Sequence, residues 1–564
     1  MRRRTLWLAA VGFAALTTGL LVVLFAASGL LYLALWPDPE AHALQTPMLP
    51  TNQPGPLALA AASSTPDSSP APSTPTPPAE RAVDPYALLS QDALLAAIEA
   101  LASIQPYSGW RNSASAGESE ALDYVGRTLD GFTYLGRLGL EQERQGFEVP
   151  LGTELWDTRL DLTLDGMPVQ VPASGLRGSR SDPALALNFD SDGALNDSER
   201  NPVVVEGPVT RIRTADELDD LAPQGFEGQV VLLDYGAVDP VVRGGMQQAV
   251  ATASNLLAQA PAGLVLVTHF SNGRGESHGS FAGEGGAFSR LEAGTLPPTV
   301  YVRLEDLAAA GIEGWDDLAR VKSARLSWDA DVFSPAVSGN LVAWIPGRDP
   351  SRAVILGAHI DSSNNPGAMD DGSGSAILVE IARVLDAAQI QPPTDLYLAW
   401  FGSEEVGLYG SAHFVDTHQD VLDRTVAMLQ IDCLTYPLEG IDARLVLVTW
   451  FESQLGDERL SWPAYLSQVA GLHGVTVGTQ DVPEIYSDNN KFDGFAVPNA
   501  DLIFMDEQAM QATGSLHYAA HIHDPYDTLE LARQQGDVLE QMARVALAAA
   551  LEPPAGGPVR RGTH

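Results

Sequence analysis

Between Asn340 and Met505 the chain alternates short apolar runs with helical stretches, and nothing else in it narrows the fold as much. The runs are NLVAWIPG from Asn340, AVILGAH from Ala353, DLYLAWFG from Asp395, TVAMLQID from Thr425, RLVLVTW from Arg444 and ADLIFM from Ala500. Each reads as a short strand. GSAILVEIARVLDAA, from Gly374 to Ala388, has helical spacing and falls between two of them. Strands that alternate with helices predict an α/β three-layer sandwich around a mainly parallel central sheet.

In an open sheet of that kind, ligands collect beyond the carboxyl ends of the strands. His359 and Asp361 follow the run that ends at Leu356, and Asp370 lies at the entry to the next helix. Glu404 and Glu405 follow the run that ends at Phe401, Asp432 follows Ile431, and His523, in HIHDPYDTLE, follows the last run through a longer loop. Taken singly, a lone histidine is more often a satisfied polar residue, and an acidic pair is usually a solvated loop. Taken together they share one edge of one sheet. Buried carboxylates are costly unless paired or bound to a cation, so their convergence predicts a metal site.

The rest of the chain sets the context. After MRRR comes a nearly uninterrupted apolar run from Leu6 to Trp36. It exceeds the roughly 20 residues a membrane-spanning helix needs, and the arginines before it favour a cytoplasmic N-terminus. The expectation is a single-pass signal anchor in the cell membrane over 1–36, with the bulk of the chain extracytoplasmic; the rival is secretion after cleavage near FAASG. Residues 37–84 are rich in Pro, Ser and Thr and read as a linker. The middle segment, 201–335, shows further strands such as GQVVLLDYG but no ordered cluster of histidines and carboxylates, so no chemistry is expected in it. The formal net charge of −40 excludes nucleic acid as a partner, because the surface would repel phosphate. The single cysteine, Cys433, excludes an intrachain disulfide.

SGNLVAWIPG through EIARVL, then AWFGSEEVGLYGS, MLQIDCL and HDPYDTLE, occur in the order found in the co-catalytic zinc aminopeptidases, metallopeptidase family twenty-eight, which the chain resembles from Val337 to about Leu551. GWRNSASAGESEALDYV resembles the opening helices of that family, and the middle segment resembles its inserted, β-rich protease-associated domain. The implied organisation is an N-terminal part of the peptidase over 85–200, the protease-associated insert over 201–335, the catalytic domain over 336–552 and a tail over 553–564.

The resemblance implies two zinc ions bridged by Asp370, with His359 and Asp432 completing one site and Glu405 and His523 the other. Asp361 is then the partner that orients His359, and Glu404 the general base acting on peptide substrates. His521 is the weaker candidate beside His523, and His413, His418 and His517 read as surface or packing residues. Two positions depart from the family pattern: Ile522 where many relatives have tyrosine, and Asn489 where many have histidine. An aminopeptidase is the leading expectation. A carboxypeptidase of the same fold, or a receptor that keeps the fold without catalysis, are the alternatives.

Overall fold

The structure is a computed structural model. It describes residues 83–104, 110–150, 152–175, 203–267, 287–288, 296–302, 304–333, 335–363, 365–437, 443–449, 457–481, 487–505, 519–520 and 527–556. All of these lie in one compact unit, Arg81–His564. Among the described residues no helix is long and apolar enough to cross a membrane. The apolar run Leu6–Trp36, residues 37–82 of the expected linker, and His517, His521, Ile522 and His523 lie outside the described residues.

One eight-stranded sheet carries the predicted runs. Its strands are β1 (Glu141–Val149), β2 (Ala336–Ile345), β3 (Asp349–His359), β4 (Thr394–Phe401), β5 (Thr425–Ile431), β6 (Arg444–Thr449), β7 (Gly478–Asp481) and β8 (Asn499–Met505). Across the sheet they run β1-β2-β4-β3-β5-β8-β6-β7. The four in the middle, β4, β3, β5 and β8, are mutually parallel, so their carboxyl ends share one edge. The flanking β2 and β6 pair antiparallel to that block.

Period-two alternation sorts the side chains onto two faces. Val354, Leu356 and Ala358 of β3, with Leu396, Leu398 and Trp400 of β4, join one core beneath the helices α1 (Gln91–Ala102), α2 (Ala116–Asp130), α3 (Gly372–Ala388), α4 (Asp457–Leu472) and α5 (Gly536–Leu551). Ala353 and Ile355, with Tyr397, Ala399 and Phe401, join the other, against Phe414 and Phe492. The result is helix, sheet, helix. This is the α/β sandwich expected from the alternation of elements.

A second eight-stranded sheet runs Met167–Val171, Gly152–Leu164, Val321–Phe333, Val203–Ile212, Val230–Asp234, Gly263–Val267, Thr299–Val302 and Ser174–Gly175. It takes in Gly152–Val171, upstream of the start at 201 read from the sequence. Gly152–Leu164 pairs antiparallel along Val321–Phe333, so the segment enters and leaves through one long ribbon. Both strands of that ribbon mix polar and apolar residues throughout, which left no change of texture to read as a boundary.

Candidate metal centre and active site

The parallel block delivers its side chains to a common edge. His359 is the last residue of β3, Glu404 and Glu405 follow β4 closely, and Asp432 directly follows β5. Asp370 precedes α3. The helix starts hard against the end of β5, because a Cβ on Gly374 would lie 2.0 Å from the Ile431 carbonyl oxygen. Glycine there is what lets Asp370 and Asp432 approach one another.

His359 sits at the centre and is buried. Its Nδ1 lies 3.0 Å from the Asp361 carbonyl oxygen and 3.5 Å from Asp361 Oδ1, both acceptors, so Nδ1 carries the proton. That leaves the other ring nitrogen as a lone pair in the neutral imidazole. Yet Nε2 faces Asp370 Oδ1 at 2.9 Å and Asp432 Oδ1 at 3.5 Å. A lone pair set against two carboxylate oxygens is repulsive unless a proton or a metal ion lies between them. Burial alone would depress the imidazole, but Asp432, Asp361 and Asp370 together lift it well above its usual value. The same arrangement suits a divalent cation with nitrogen and oxygen ligands, of which zinc is the commonest.

The donor set fits such an ion. His359, Asp370 and Glu405 each offer an atom, all within 4.8 Å of one another. His359 with Asp371 and Asp432, and Asp370 with Asp432 and Cys433, form two further groups of that kind. Local bonding separates the members. Asp371 caps α3, with Oδ1 accepting the Gly374 amide at 2.8 Å and Oδ2 accepting the His359 amide at 3.1 Å, so its oxygens are engaged. Burial pushes the Cys433 thiol well above its ordinary value, and the neighbouring carboxylates push it further, so without a metal ion it stays a thiol. Asp370, Asp432, Glu405 and His359 remain.

Buried partners fix each of these. Asp361 accepts the Ser113 hydroxyl at 2.5 Å and the amides of Glu404 and Glu405 at 3.1 and 3.2 Å. Burial works against its charge, but His359 and these donors outweigh it and hold the carboxyl below its usual range. Asp432 accepts the Ser487 hydroxyl at 2.6 Å, while its amide donates to Asp501 at 3.1 Å. Asp527 accepts the amides of Met369 and Asp370 at 2.6 and 3.0 Å. Glu404 is half-buried beside the cluster. Burial raises its carboxyl well above the usual range; His359 pulls it back, and Asp432, Asp488 and Glu405 push it further up.

Ser113, Ser487, Asp501 and Asp527 did not stand out in the sequence as parts of the site. Asp527 lies within HDPYDTLE, a run already singled out in the sequence. Asn489 is buried and donates to Asn499 at 3.0 Å. His413 stacks on Phe147 and His418 on Phe414, as packing residues do.

Residues 340–550 match Peptidase family M28. Leupeptin-inactivating enzyme 1 of Streptomyces exfoliatus is 42% identical over 15% of this chain and 19% of its own length. Leucine aminopeptidase 1 of Blastomyces gilchristii is 31% identical over 34% of this chain and 50% of its own length. Both alignments cover less than two thirds of the relative. Among solved structures, a zinc aminopeptidase from Bacillus subtilis superimposes with a TM-score of 0.51 over 83% of this chain and 97% of that chain, at 19% identity. At that identity the likeness speaks for the fold. Fold, motif order and sequence match agree: the chain carries a Peptidase family M28 domain across residues 340–550.

Proposed function

We propose that the chain is a zinc-dependent exopeptidase that acts as an aminopeptidase on peptides. The observation that carries this reading is the His359 Nε2 lone pair set between the carboxylates of Asp370 and Asp432, with the half-buried Glu404 carboxyl beside them. His359, Asp370, Asp432 and Glu405, with His523, would hold two zinc ions. When bound, zinc polarises a peptide carbonyl and makes water a stronger acid.

The rest is work for the chain's own residues. Asp361 holds the His359 ring and its tautomer, a role usual for a carboxylate behind a metal-binding imidazole. Glu404 takes a proton from the attacking water and returns it to the leaving amine; burial raises its carboxyl above the usual range, which makes it a stronger base than an exposed glutamate. Asp527 holds the backbone at Asp370 through its amide, and the Ser487 hydroxyl anchors the Asp432 carboxylate. The names of the relatives, leucine aminopeptidase and leupeptin-inactivating enzyme, support the choice of peptide bonds.

The test is Glu404→Gln, assayed on aminoacyl-arylamides with zinc measured in parallel. Turnover should fall by roughly 10²–10⁴-fold with the metal retained, the usual worth of a positioned acid–base. Unchanged turnover would remove Glu404 from this role.

Two further readings rest on sequence. The second sheet is proposed as a protease-associated domain that shapes access to the site. Leu6–Trp36 is proposed as a membrane anchor that leaves the peptidase outside the cytoplasm, supported by its length and by the arginines before it.

A further inference from the structure

Adjacent residues Glu404 and Glu405 must face different tasks, and the backbone before them shows how. Three successive amides are captured by carboxylates from distant segments. Glu404 and Glu405 donate to Asp361, as described, and Ser403 donates to Glu118 Oε1 at 2.8 Å. Glu118 lies in the first turn of α2, where Ser115 caps the helix, and it is 2% exposed. Its other oxygen accepts the Ala114 amide at 3.0 Å, and the Ser338 hydroxyl lies 3.0 and 2.9 Å from the two oxygens. The turn after β4 is shaped for this visitor. A Cβ on Gly402 would lie 2.3 Å from the Gly339 carbonyl oxygen and 2.7 Å from Glu118 Oε1, and Ser403 has a left-handed φ of 53°. A carboxylate placed only to cap a helix has no need of a partner 285 positions away in the loop that carries the base.

We propose that Glu118 is a positioning residue: by holding the Ser403 amide it sets where the Glu404 carboxylate stands, without touching metal or substrate. This rests on the aminopeptidase reading and adds a residue outside the segment matched to the family. A catalytic group displaced by about 1 Å can lose on the order of a hundredfold in rate. The loss should therefore fall on kcat.

The experiment compares full-length wild type with Glu118→Gln and Glu118→Ala, reading kcat and KM on an aminoacyl-arylamide, zinc per chain, and hydrogen exchange of the 403–405 amides. Expected for Glu118→Ala are a drop in kcat of about tenfold or more, KM within a factor of about two, wild-type zinc and faster exchange at Ser403; Glu118→Gln, whose side-chain oxygen can still accept that amide, should lose less. Should neither variant fold, Ser338→Ala removes the hydroxyl that donates to Glu118 and is expected to lower kcat with zinc retained. A folded, zinc-loaded Glu118→Ala protein with wild-type kcat overturns the proposal. So does loss of rate only in step with loss of zinc, or unchanged protection at Ser403 in Glu118→Ala. An inactive wild type counts against the aminopeptidase reading instead, and the exchange measurement still decides the clamp.

Discussion

The chain builds two eight-stranded sheets, each with a block of parallel strands whose carboxyl ends share an edge, and among the described residues only the first gathers a cluster of metal-binding groups there. In the second sheet the strands Val230–Asp234, Gly263–Val267 and Thr299–Val302 are parallel. They end in Asp234, Val267 and Val302. Asp234 is buried, but its carboxylate accepts the Gly236 amide at 2.9 Å and caps the turn that follows. In the first sheet the carboxylates lean on residues far away in sequence, and they crowd a histidine nitrogen. Among the described residues, every group able to hold a metal ion lies at that first edge. A parallel edge shows where a site can be. Acceptors that converge faster than donors can satisfy them make it one.

The comparison breaks most directly at Asp370. Asp370→Asn should bring aminopeptidase activity to background and lower the zinc bound per chain, because the substitution removes a charge from the centre of the donor set. Chelating the wild type should do the same, reversibly on adding zinc. Wild-type turnover in a fully folded Asp370→Asn protein would mean that the crowded edge is structural after all.

Removing the metal also exposes what it neutralises. Without it, burial pushes Asp488 and Asp527 up to about 7, and Asp371 and Asp501 well above the usual range. A carboxyl raised in the folded state gives stability that is complete below its unfolded value and is lost as pH rises toward the folded one. Metal-free protein should therefore melt at higher temperature near pH 6 than near pH 8, by on the order of 5 °C. Loaded protein should shift the other way, since acid protonates the ligands. Parallel melting curves for the two forms, measured by calorimetry, would remove this account of the edge.

How much of this could be read beforehand follows from the same contrast. The strands were legible because full burial on both faces leaves uninterrupted apolar runs, and the alternation with helices implied the parallel block. His359, Glu404, Glu405 and Asp432 were legible as charges stationed behind those runs. The choice of Asp370 over Asp371 was not available from position alone: it depends on Asp371 being taken up by the Gly374 and His359 amides. Ser113 was invisible because its partner, Asp361, lies 248 positions away, and a serine carries no mark of so distant a contact. The start of the second sheet failed for the opposite reason, since mixed polar and apolar strands continue smoothly across it.

Ser113 gives a smaller effect that sharpens the comparison. Ser113→Ala removes one of the donors that hold Asp361 ionised and oriented. Losing a partner behind a metal-binding histidine typically costs about 10–100-fold in metal affinity or rate. Zinc titration and kcat should each show a loss toward the lower end, because the Glu404 and Glu405 amides remain. A variant with wild-type values in both would show that those amides suffice.

The smallest effect is expected at the other edge, at Asp234. Asp234→Ala deletes a cap in the second sheet and leaves the Gly236 amide without that acceptor. Loss of such a cap costs about 1 kcal/mol, so the thermal midpoint should fall slightly. Asp234 accepts from a neighbour two positions along the chain, and its strand belongs to a different sheet from the one that carries His359. Zinc content, kcat and KM should therefore stay at wild-type values. If kcat fell with zinc retained, the second sheet would be coupled to the peptidase site through its own carboxyl edge. The two edges would then differ in distance from the reaction, not in kind.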